Sequence, residues 1–228
     1  MIRLRKLLSL VLASGTIAGL LLFAVQHFAI VPLIEKAEVY ESAADAASPH
    51  HHEDEGWKPA DGWERTGYTV ATTVLTAIGF AAMLFGLTSL RPVELNWRKG
   101  LMWGLAAFAC VDLAPSLGLP PQPPGTAVAD LYARQEWWLL TVASTAVGLW
   151  LLFNRRISAP ARLFGILLPI LPHAIGAPVA QGASAVPPAL SHQFAVISIL
   201  STGLFWAVLG IVGGWLYARG GYAKALAN

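Results

Sequence analysis

The chain contains one cysteine, Cys110, in 228 residues. That excludes an internal disulfide, a CxxC redox pair, a c-type haem attachment and a cysteine zinc site. Charge is scarce as well. Lys, Arg, Asp and Glu make up 12% of the residues, about half of what a soluble domain carries. No basic stripe or RNA-binding signature is present, so no nucleic acid is expected as a partner. There is no GxxxxGK[ST] loop, and any ATP coupling would need another protein. No HExxH or comparable local motif offers a fixed metal with an adjacent base. No internal repeat is evident.

What the sequence does have is apolar length: 56% of its residues are hydrophobic, gathered in long runs. A bilayer core needs about 20 apolar residues of helix. The runs 7–31, 66–90, 100–119, 137–153, 161–178 and 193–217 meet that need approximately. The fold class expected is therefore all-α: a polytopic membrane helical bundle of about six transmembrane helices, forming a single membrane domain over 1–228. The first run follows the basic stretch Met-Ile-Arg-Leu-Arg-Lys, as in a signal peptide. It is too long for a typical h-region and ends in no small-residue cleavage site, so it reads as a retained span. The fifth run carries Pro169, Pro172 and Pro178 and reads as a full but kinked crossing, with the freed carbonyls satisfied by neighbouring helices or a polar cavity.

The few charges are sorted along the chain. Eleven of the 15 Lys and Arg residues lie before span one, between spans two and three, between span four and the first residues of span five, and after span six. With six spans these segments share one side, which the positive-inside rule makes cytoplasmic, along with both termini. The loop 32–65 is then outer, acidic and rich in histidine. Its start, 32–43, reads as an amphipathic extension of span one, and its stretch 44–56 as mobile, having few apolar residues and a run of charge. Trp57, Trp63, Trp137 and Trp138 suit an aromatic belt at the outer boundary. Gly15-xxx-Gly19 and Gly210-xxx-Gly214 read as close helix packing.

This orientation puts all six histidines outward. His50, His51 and His52 open the run HHHEDE in the outer loop; His27, His173 and His192 stand near the outer ends of spans one, five and six. Asp112 lies inside span three, where a carboxylate costs about 2.5–3.5 kcal/mol on insertion scales and so faces the bundle interior or water. Imidazole nitrogen and carboxylate oxygen together suit Zn, Ni and Co. The candidate metal-ligating residues are therefore His27, His50, His51, His52, Asp112, His173 and His192. Each also has a plainer role. The histidine run is a solvated loop, His27 a helix-packing residue, His173 a partner for backbone freed by proline, His192 a helix-start cap, and Asp112 a partner of Arg134 or a buried hydroxyl.

Several segments together resemble the cobalt transporter subunit family called CbtA. They are His27 with PLIEKAEVYE (32–41), the His-rich loop, DGWERT (61–66), GLPPQPPG (118–125), RQEWW (134–138), PHAIGAP (172–178) and FWAVLG (205–210). Where the family often carries an acid after GLPP, this chain has Gln122, which counts against a ligand role there. The resemblance implies a bacterial inner-membrane subunit for cobalt uptake, linked to cobalamin biosynthesis. It also implies a small one-span, His-rich membrane subunit as partner. A divalent metal ion, cobalt, is then the transported substrate, no cofactor is bound permanently, and the chain is not an enzyme. Two other classes stand beside this reading: a metal-binding sensor or assembly subunit without transport, and a membrane metalloenzyme.

Overall fold

The computed structural model describes residues 2–47, 59–89 and 94–220. Over these residues the fold is all-helical, with 80% helix, no strand and six helices. Helix α1 runs over 2–47 as Ile2–Val25, a π-helical turn Gln26–Ile30, and Val31–Ala47. Helix α2 is Trp63–Ser89. Helix α3 runs over 97–116 as Trp97–Phe108, a π-helical turn Ala109–Leu113, and Ala114–Ser116. Helices α4, α5 and α6 are Leu131–Phe153, Ala159–Ile175 and Pro188–Arg219. Four stretches are long and apolar enough to cross a membrane: Leu4–Ala44, Trp63–Ser89, Leu131–Phe153 and Pro188–Arg219. Helix α5 has 17 residues, about 26 Å at 1.5 Å each, the short end of what a crossing needs.

The boundaries depart from the sequence reading in ways the local chemistry explains. Span one does not end at 31. Its helix continues to Ala47, because Ile30, Leu33 and Ala37 recur at helical spacing and are buried. The helical extension over 32–43 is thus present. The stretch taken as mobile from 44 is helical through Ala47, and its remainder lies outside the described residues. Span three stops at Ser116 rather than 119, since Pro120 and Pro121 follow and cannot extend a helix. Asn96 opens α3 by accepting the Lys99 N–H on its side chain, 3.0 Å. Asp130 opens α4 six residues before the expected start by accepting the Ala133 N–H at 3.0 Å. Gly176, at φ +96°, ends α5 and donates its N–H to the Pro172 carbonyl at 3.0 Å.

The chain divides into two compact units. The first joins residues 1–29, 49–105 and 201–228. Here Gly15 and Gly19 let α1 approach α2 closely: a Cβ at Gly15 would sit on the Ile78 backbone, and one at Gly19 would lie 2.9 Å from the Val74 Cα. Both expected glycine pairs therefore serve close packing. Gly210 and Gly214 of α6 meet Gly100 and Gly104 of α3, and a Cβ at Gly210 would land on the Gly100 carbonyl oxygen. Phe85 of α2 fills the space over Gly213, and the Phe80 ring lies 5.0 Å from that of Trp206.

The second unit joins 30–48 and 106–200. Helices α4 and α5 pack through Gly148 and Gly165. Pro169, lacking an N–H, frees the Gly165 carbonyl, and that oxygen lies directly against Gly148, 2.7 Å from where a Cβ would be.

Candidate functional site

Two of the candidate residues, one in each unit, stand on helix turns that break the α-register. In the second π turn the Ala114 N–H donates to the Ala109 carbonyl, five residues back. Such a turn holds one extra residue and leaves ordinary i→i+4 bonds unmade, a geometry common at functional sites. Asp112 stands inside this turn, half-buried. His27 stands inside the other π turn. It is exposed, with its ring stacked on Phe23 at 5.6 Å and edge-on to Phe28 at 5.1 Å. In the same turn Gln26 accepts a hydrogen bond from the Thr73 hydroxyl at 3.4 Å.

Backbone carbonyls near Asp112 and His173 are served by two consecutive residues of α4. Pro115 lies four residues after Val111 and has no N–H, so the Val111 carbonyl loses its α-helical donor. The Trp138 indole Nε1–H donates to it at 3.2 Å. On α5 the Pro172 carbonyl is one of the helix-end acceptors. It receives the Gly176 N–H and also the Trp137 indole Nε1–H, at 3.1 Å. The Trp137 ring then meets the His173 ring edge-on, 5.4 Å between centroids and 75° between planes. Asp112 and His173 thus each adjoin a backbone carbonyl held by one of two neighbouring indoles.

This corrects the reading of Trp137 as a belt residue, because its side chain is buried at 6% exposure. Trp63 is exposed at 93%, and Trp57 lies outside the described residues. His192 sits in the second turn of α6 and is exposed, so it is not a start cap. His50, His51 and His52 lie outside the described residues. Among the described residues, no three His, Cys, Asp or Glu side chains come together in a group able to hold a metal ion. The roles of the two tryptophans were missed from sequence; the available signal was Pro115, which leaves a carbonyl in need of a donor.

Segments far apart in sequence converge here. A Cβ on Gly118 would strike the Trp137 ring and lie 3.0 Å from the Ala177 Cβ. Gly125, at φ +73°, would bring a Cβ to 3.0 Å from the Glu41 Cβ, and its carbonyl accepts the Ala185 N–H at 3.1 Å. Stretches 32–41, 118–125, 134–138 and 172–178 therefore meet in one unit of the fold. The family described as "Probable cobalt transporter subunit (CbtA)" matches residues 4–218. The chain belongs to this family. No curated protein and no solved structure matches the chain. Membership and the four long apolar helices together make it a multi-pass membrane protein of a cobalt transporter subunit family.

Proposed function

We propose that the protein takes up a divalent transition metal, cobalt, across a bacterial inner membrane. His50, His51 and His52, with the acidic residues of the outer loop, raise the local metal concentration. His27 and His192 receive the ion, and Asp112 and His173 carry it through the membrane. The observation that carries this reading is the pairing at α4: the turn bearing Asp112 and the helix end bearing His173 are bonded to consecutive residues. A carboxylate and a neutral imidazole there would offer mixed O and N ligation to Co, Ni or Zn. Conduction needs binding weak enough to release, which two such ligands supply better than a closed cage. The six helices all cross, both termini face the cytoplasm, and a small one-span His-rich subunit completes the transporter.

The test is uptake of radioactive cobalt into sealed vesicles carrying the full chain, with and without such a partner, and with nickel and zinc as competitors. Saturable uptake, abolished by Asp112→Asn, is the expected result. Cobalt binding without uptake under every condition would identify a sensor or assembly subunit instead. Chemical turnover of a substrate by the metal-loaded protein would identify a metalloenzyme.

A further inference from the structure

We infer that Trp138 is a positioning residue for the metal: its indole holds the π turn that presents Asp112. The inference rests on the reading of Asp112 as a metal ligand. It begins from the Val111 carbonyl, the peptide oxygen immediately before Asp112, which Pro115 deprives of its donor. A carbonyl left unpaired in an apolar setting is costly. Two remedies exist: the turn can distort until another backbone N–H reaches it, or an outside donor can fix it in place. Trp138 Nε1–H is the outside donor, at 3.2 Å. Indole is suited to this task, being a large rigid ring with a donor and no acceptor.

The bond runs from one helix to another, so it fixes the azimuth of residues 111 and 112 relative to α4, and not just their hydrogen bonding. Residue 137, one position earlier on α4, does the same for the Pro172 carbonyl and touches the His173 ring. Consecutive helical residues point about 100° apart, as 3.6 residues per turn requires. Two adjacent indoles can therefore reach two different helices at one depth. The tryptophan pair sets where the carboxylate and the imidazole stand relative to each other. Partners of this kind commonly change metal affinity or activity about 10–100-fold when lost.

The experiment titrates the full chain in detergent with Co(II) ions alone, following the visible d–d absorption and equilibrium dialysis. Trp138→Phe keeps the ring and removes the donor. It is expected to weaken cobalt binding about tenfold or more and to shift the absorption band. In an Asp112→Asn background the same change should weaken binding no further, since the two act through one ligand. Additive losses would overturn the inference, as would unchanged affinity in Trp138→Phe when Asp112→Asn binds weakly. Normal binding by Asp112→Asn would sink the ligand reading itself and the inference with it. Should Trp138→Phe lower the yield of folded protein, Pro115→Ala added to it returns an N–H to Val111 within its own helix. That bond closes the turn in α-register, so folding should recover while cobalt binding stays weak. Recovery of the parent affinity would show a purely structural role and refute positioning.

Discussion

Asp112 and His27 share a backbone setting, each lying within a π turn of an otherwise α-helical segment. Their chemical oddity was legible in the sequence, because a carboxylate inside an apolar run and a histidine at a span end stand out by composition alone. Their backbone setting was not legible, since a π turn depends on which carbonyl finds which donor in three dimensions. The same holds for Trp137 and Trp138, whose partners sit 35 and 27 residues away. Asp112→Asn preserves size and most hydrogen bonding while removing the charge, so cobalt uptake into vesicles should fall to background with no loss of folded protein. His27→Ala, at an exposed position proposed to receive the ion, should slow uptake several-fold and leave it saturable. Trp137→Phe keeps the ring against His173 but takes one of two donors from the Pro172 carbonyl. Unfolding measured in detergent should show a loss of about 1 kcal/mol.

At the scale of helices, apolar length and proline placement announced the elements, and their ends moved wherever caps decided. Asp130 and Gly176 fix ends that hydropathy alone leaves vague. The extension of α1 past the membrane run came from a three- and four-residue recurrence of Ile30, Leu33 and Ala37. The glycine seam between α3 and α6 was half-legible: Gly100-xxx-Gly104 and Gly210-xxx-Gly214 both have the familiar spacing, but that the two pairs face each other appears only in the fold. Gly210→Ala places a methyl group on the Gly100 carbonyl oxygen. It should destabilise the protein by about 1–3 kcal/mol, read as a lower unfolding midpoint in detergent. Gly79→Ala is the contrast, because nothing lies within 4 Å of a Cβ there. It should be neutral or stabilising by up to about 1 kcal/mol. On the proposed function, replacing His50, His51 and His52 with Ala removes a collector and not a conduit. Uptake should slow at scarce cobalt and keep its maximal rate at saturating cobalt; loss at both would make the run part of the path.

For the whole molecule, the alternation of basic and acidic segments is the strongest topological signal in the sequence, and it concerns the membrane rather than the fold. It predicts that a reporter fused after Asn228 is active in the cytoplasm and silent in the periplasm; the reverse result would remove the six-span arrangement. Packing within each unit was illegible at this scale, because it pairs segments that the sequence keeps apart. The α3–α6 seam shows what that separation entails while the chain is being made. Gly100 is synthesised about 110 residues before Gly210, which at 5–20 residues per second is a delay of about 5–20 s. Throughout that interval α3 has no partner for its glycine face. Whatever covers that face meanwhile must leave when α6 arrives, so this contact cannot form until the last helix has been made. Chains that stall before α6 would carry the glycine face of α3 uncovered, a groove that every complete copy keeps filled.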